Sequence, residues 1–394
     1  MAETEDMEVQ VLAKKKKDRP TSSQKSIPYI ECYPDGMIQV EPGKFSKTWS
    51  FPDMNFKTLS EDEQRAFHGR FQDFLNSIDP AWHVTFNILN ILDDIDLRFA
   101  KVSLKERSDE LDKYRKEMNK MIYGRMRETR GSIITKRYIT YTIEAKSVDD
   151  AALTFKDIDI SVNREFRQFI KAEPHCLSLD ERLELLAKIY GTDDSIYFKH
   201  DRDGKVSVDW DAADKLHLTT KDIIAPPAMS FKNNYFNIGE QVAQSYYLTG
   251  IANYLSADFI GNITDVNCKL ILSIDILPLE SEEAIKLIHN KSVLIDSEIA
   301  EAQKKAVKSG YSPDLISPDL SRSKEQVDSL QEDMMSQDQK VFYMQLNVTH
   351  FASDMDDLKR TGAEIKSVAS KNLCSFSNYV ICRKGALMPV CRSV

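Results

Sequence analysis

The chain has 394 residues, 42% hydrophobic and 29% charged, with a net charge of -9. That is the composition of a soluble globular protein with room for about two or three domains, and it excludes a fibrous or wholly disordered chain. The acid excess argues against broad affinity for nucleic acid or an anionic membrane surface.

Met1 to about Ser26 is polar and carries the run Lys14 to Lys17, so 1–26 is predicted to be a disordered tail. From Pro28, Tyr33-Pro34-Asp35-Gly36 and then Glu41-Pro42-Gly43 supply turn chemistry for a small strand meander ending at Phe51. Ser60 with Glu63 forms a capping box, and Phe67, Phe71, Phe74, Leu75 and Ile78 share one face of the helix that follows. Val84, Phe86 and Ile88 alternate as a strand, and Ile139, Tyr141 and Ile143 alternate as its return. Between them a charged helix is expected from about Lys101 to Arg130, with Leu104, Leu111 and Met118 at seven-residue spacing beside Tyr114 and Met121. Ser147 to Asp150 then open a cover helix whose stripe is Phe155, Ile158, Val162, Phe166 and Phe169. Such aromatic stripes are read as core packing rather than as a cofactor box.

Pro174 breaks the chain, Ser178 with Glu181 caps a helix, and Gly191 ends it. Asp201-Arg202-Asp203-Gly204 lies between Tyr197-Phe198 and Val206 to Val208, and is read as a hairpin turn, being too short for a calcium loop. Lys215 to Phe236, with Pro226-Pro227, is expected to be a surface linker. A second unit begins near Val242. Its strands carry Leu270, Leu272, Ile274 and Ile276, then Phe342, Met344, Leu346 and Val348. Ser281, as cap, with Glu282 and Glu283 opens a long helix whose seam residues recur at seven: Ile288, Ile295, Ala302, beside Ser292, Ile299, Ala306. Gly310, Pro313 and Pro318 interrupt it, and the spacing resumes at Leu320, Val327 and Met334. Ser353 leads a last cover helix through Leu358, Ile365 and Ala369, and a strand is expected over Phe376 to Ile381.

The expected fold is therefore α+β, with two related strand–helix–strand units of ferredoxin-like type, the second bearing a long protruding helical hairpin. The expected boundaries are 1–26 tail, 27–173 first unit, 174–240 helix, hairpin and linker, 241–382 second unit, and 383–394 a tail without pattern.

No G-x-x-x-x-G-K-[ST], G-x-S-x-G, H-E-x-x-H or G-x-G-x-x-G occurs, and Gly362 to Ser367 lacks the second glycine of a phosphate loop. The histidines His68, His83, His175, His200, His217, His289 and His350 have no spacing that forces convergence on a metal. Cys32, Cys176, Cys268, Cys374, Cys382 and Cys391 contain no C-x-x-C pair, which predicts thiols in a reducing compartment rather than a disulfide framework or a zinc cage. Nothing approaches the RNP pattern of an RNA-binding sheet. No apolar run approaches the roughly 18 residues that span a bilayer. Met1 to Lys17 lacks the apolar core of a signal peptide, so a cytoplasmic location is predicted. No catalytic, cofactor-binding or metal residue is assigned, no cofactor is expected, and an enzymatic role is not predicted.

Several strings carry a resemblance. They are Ile27-Pro28-Tyr29, Tyr33 to Gly36, Val40 to Gly43, Leu218 to Pro226, Tyr235 to Gly239, and above all Glu301 to Lys305 with Ser309-Gly310-Tyr311-Ser312-Pro313-Asp314-Leu315-Ile316-Ser317-Pro318. Over about Ile27 to Cys374 the chain resembles the amino-terminal region of the TraE/TraC-type (VirB-four-like) conjugal transfer, or type IV secretion, ATPases. The resemblance implies an α+β region that docks on the inner-membrane part of a conjugation channel and helps subunits assemble. It also implies a place at the inner face of the cell membrane, held there through protein partners, with possible homo-oligomers and no direct nucleic-acid contact. In that family a RecA-like motor with Walker A and B motifs follows. This sequence ends before any motor, as a truncated gene, a frameshift or a fragment would, so no nucleotide-binding residue carries over. The alternatives are an enzyme with a site of dispersed residues, or a non-functional remnant of the ATPase gene.

Overall fold

The structure is a computed structural model, and it describes residues 22–54, 56–92, 99, 102–128, 133–192, 196–201, 205–251, 258–310, 312, 317–337 and 339–379. Residues 1–21 and 383–394 of the expected tails fall outside these residues, while the last part of the tail expected at 1–26 departs from disorder: Ser23–Ser26 form one helical turn, α1, after Ser22.

The first half of the chain contributes β1 (Glu31–Cys32), β2 (Ile38–Glu41), β3 (Lys44–Phe51), α2 (Glu61–Ser77), β4 (Trp82–Leu92), α3 (Asp112–Glu128), β5 (Ile133–Glu144) and α4 (Val148–Phe169). A middle stretch follows with β6 (His175–Cys176), α5 (Leu179–Tyr190), β7 (Phe198–His200), β8 (Val206–Val208), α6 (Trp210–Lys215), α7 (Thr220–Ile224), β9 (Met229–Phe231) and β10 (Phe236–Ile238). The second half has β11 (Gln241–Gly250), α8 (Asp258–Thr264), β12 (Lys269–Pro278), α9 (Ser281–Lys308), α10 (Pro318–Gln337), β13 (Phe342–Ala352), α11 (Met355–Lys371) and β14 (Ser375–Asn378).

Twelve of these strands form one mixed-order sheet, β1-β2-β3-β5-β4-β12-β13-β11-β10-β9, with β14 on β11 and β6 on β3. Its pairings are antiparallel, and the two halves join through β4 and β12, from Leu270 opposite Asn90 to Ile276 opposite Val84. The fold is thus α+β around one large antiparallel sheet.

Side-chain alternation along β4 assigns the layers. Val84 and Phe86 point into an aromatic core with Trp49, Phe74, Phe155 and Phe166 from β3, α2 and α4. Ile88, on the same face, joins an aliphatic core with Leu272, Val348, Ile365 and Phe259. Leu89 and Ile91 point the other way, into a third core with Leu183, Leu186, Ile223 and Phe236. The stretch expected to be a surface linker is therefore structural. Thr219 caps α7 through a capping box with Asp222, and the helix buries Ile223 and Ile224.

Local signals hold where a cap or a special φ is required. Ser60 and Ser178 both make capping boxes, with Glu63 and Glu181, and Ser147 accepts from the Asp150 amide. Two expected caps shift by one residue. Glu280 precedes α9 with no side-chain cap bond, and Asp354, not Ser353, accepts from the Asp356 and Asp357 amides. Gly36 has φ of 80°, and a Cβ there would lie 2.1 Å from the Leu177 carbonyl oxygen, so only glycine fits the turn against α5.

The helix expected from Lys101 to Arg130 is shorter. Its described span begins at Asp112, because the Asp112 carboxylate accepts the Arg107 and Ser108 amides and turns the chain just before it.

Candidate functional site

Two parts of the molecule offer surfaces beyond its own cores: the helical excursions between paired strands, and a cleft where the halves meet.

The excursion between β12 and β13 is α9 and α10, which pack on each other. Ile288, Ile295 and Val327 are buried between them, with Ile299, Met334 and Val341 alongside. Lys324 of α10 reaches Ser292 and Asp296 of α9, at 3.1 Å to each side chain's nearer oxygen. The seven-residue spacing therefore does bury a seam here. On the outer faces, however, Ile285, Val293, Leu294 and Val307 of α9 remain 53–61% exposed, and Leu330 of α10 is 40% exposed.

The excursion between β4 and β5 carries α3. Leu111, Tyr114, Met118 and Met121 lie on one stripe and are 48–66% exposed. The stripe is held in place: Asn119 accepts the Leu104 amide at 2.8 Å and donates to the Leu104 carbonyl at 2.9 Å, while Arg115 pairs with Asp109 and Asp112. These apolar side chains are presented by ordered backbone, and no second helix covers them among the described residues.

The strand edges at the two ends of the sheet path are short. The sheet path ends in β1, of 2 residues, and β9, of 3 residues, which leaves little ladder for another chain to extend.

The cleft has a volume of about 690 Å³. Its walls include Val40, Pro80, Ala81, Ile143 and Leu277, and its polar groups come from β2–β3, β4, β5, β12 and β13. Asp275 sits in it at the start of the outward half of β12. Thr85 Oγ1 donates to one carboxylate oxygen at 2.8 Å and Asn347 Nδ2 to the other at 2.9 Å. Burial raises the Asp275 carboxyl above the ordinary carboxylate range, against the opposing pull of those bonds and of His83. His83 Nε2 stands 3.5 Å from Asp275 Oδ1. Behind Asn347, Tyr379 Oη donates to Asn347 Oδ1 at 2.7 Å, so the carboxylate ends a short polar chain across the sheet. Sequence reading leaves these residues unmarked because Thr85, Asp275 and Asn347 are 190 and 72 positions apart and converge only through strand register.

The remaining histidines do not converge. His175 pairs with Glu181, His200 with Glu184, and His68 meets Phe56 edge to face. His350 is buried against Thr361 and Tyr246, and burial lowers it to about 4. Among the described residues no group of three or more His, Cys, Asp or Glu could hold a metal ion. Four thiols are free there: Cys268 and Cys374 are buried, and Cys32 and Cys176 half-buried. Cys382 and Cys391 lie outside the described residues, and Lys366 and Ser367 lie within α11. No helix of the described residues is long and apolar enough to cross a membrane. Compared with known proteins, the chain matches no family model and no curated protein.

Proposed function

We propose that this chain is a non-catalytic assembly module of the kind that precedes the motor in TraE/TraC-type conjugation ATPases, built of two ferredoxin-like units with α9 and α10 as a helical hairpin. It binds protein subunits at the inner-membrane part of a conjugation channel and associates with itself. The observation that carries this reading is the outward face of α9, where Val293 and Leu294 are exposed although the inward face already has its own core. A helix satisfied on one side and apolar on the other suits an incoming helix or groove. The Ser309 to Pro318 string, between the two helices, supplies the family half of the argument.

The test co-expresses the chain with the inner-membrane subunits of a conjugation channel and measures co-purification. Val293→Glu with Leu294→Glu is expected to abolish co-purification while leaving the melting temperature unchanged. Equal recovery of wild type and variant, or ATP turnover by the purified chain above a vector control, overturns the proposal.

A further inference from the structure

The assembly role makes no use of the cleft at the junction of the halves. Three carboxylates reach it, Glu41, Glu144 and Asp275, against one ammonium, Lys44, and the His83 ring. Lys44 is already shared, 3.5 Å from Glu41 and 3.6 Å from Glu144 at the rim. Asp275 differs from the rim acids. It is fixed through both oxygens, and its side chain retains 19% exposure. A carboxylate held in position, largely withdrawn from water and still reachable attracts a cation more strongly than an exposed one does.

The walls decide what kind of cation. Ala81, Pro80 and Leu277 offer apolar surface but no donors or acceptors in their side chains, so they match methylene groups rather than a hydrated metal ion. An anion is opposed by the acid excess, and a wholly apolar ligand adds no charge to complement the carboxylates of the cleft. We propose that the cleft binds a primary ammonium or guanidinium group on an aliphatic stem, with the Asp275 carboxylate as counter-ion. The stem lies on Ala81 and Leu277, and the head group meets Asp275 beside His83. This inference is independent of the assembly role: a channel subunit's lysine or arginine and a free amine present the same chemistry.

The His83 ring, 3.5 Å from Asp275, is a built-in reporter. Protein labelled on histidine is titrated with n-butylammonium, Nα-acetyl-lysine amide and Nα-acetyl-arginine amide, with n-butanol and butyrate as controls. The cations are expected to shift His83 saturably and the controls to leave it in place. Asp275→Asn keeps the shape of the side chain and is expected to weaken binding about tenfold or more. Ala81→Trp adds bulk to the apolar wall and leaves Asp275 itself unchanged, and is expected to abolish the shift, which protects the test if the Asp275 variant fails to fold. Saturation by butylammonium alone supports a small amine, and saturation by the amino-acid amides as well supports a protein side chain. No saturable shift with any cation, an equal shift with butyrate, or undiminished binding in Ala81→Trp overturns the inference.

Discussion

Twice the chain leaves its sheet between two paired strands, and the two excursions resolve the same problem differently. Between β12 and β13 a second helix is present, so Ile288, Ile295 and Val327 close a small core. Between β4 and β5 only α3 is described, and Leu111, Tyr114, Met118 and Met121 stay in contact with solvent. Both stretches show seven-residue spacing. The difference teaches that such spacing marks a face that packs, without saying whether its partner lies in the same chain.

The largest expected effect comes from breaking the satisfied excursion. Ile295→Asp buries a carboxylate where Ile295 is 5% exposed, and is expected to cost about 4 kcal/mol locally. Hydrogen exchange should show 281–337 losing protection while the β4–β12 amides keep theirs. Simultaneous loss of both would mean that the helix pair is not a separate unit of stability.

A second contrast lies in what the cover helices sit on. α4 covers aromatic rings of the sheet, including Trp49 and Tyr141, whereas α11 covers His350. Thr361 Oγ1 gives its hydrogen to the Asp357 carbonyl at 2.9 Å and so accepts from His350 Nδ1. Burial holds His350 at about 4, with Asp357 raising it and Lys366 lowering it to smaller extents. The folded value lies below the unfolded one, near 6.5, so the unfolded chain takes up the proton first. Stability is full above about pH 6.5 and is lost progressively down to pH 4, by about 3 kcal/mol. Denaturant titrations at pH 7 and pH 4.5 check the loss, which His350→Phe should reduce.

Gly362→Ala tests the same interface at intermediate size. The added Cβ would fall 2.4 Å from Tyr246 Oη, and a cost of about 1–3 kcal/mol is expected in chemical denaturation. No change would show that Tyr246 moves aside freely. The smallest effect is expected at the open excursion. Met118→Asp, at a side chain 48% exposed, should alter stability by no more than about 0.5 kcal/mol by the same denaturant assay. A loss like that of Ile295→Asp would mean that α3 has a covering partner after all.

Much of the architecture was legible because it depends on local pattern. Capping boxes at Ser60 and Ser178, the stripe from Phe155 to Phe169, and the alternation of Val84, Phe86 and Ile88 each state their outcome in a few consecutive residues. What could not be read depends on register. Nothing in the order of residues places Asn90 opposite Leu270, so the fusion of two expected units into a single sheet was not foreseen. The cleft follows from that fusion: Asp275 acquires Thr85 and His83 only because β12 lies beside β4. Lys215 to Phe236 misled for another reason. Its prolines and short runs resemble a linker, and only contact with α5 and β11 shows that Ile223, Ile224 and Phe236 belong inside.

The attachment of the helix pair has a mechanical corollary. α9 departs just beyond the end of β12 and α10 returns just before β13, and β12 is bonded along both edges, to β4 and to β13. A tug on the far end of the pair therefore pulls two neighbouring strands lengthwise, across many perpendicular hydrogen bonds at once, rather than unzipping them one by one. Whatever grips those helices grips the backbone of the whole sheet.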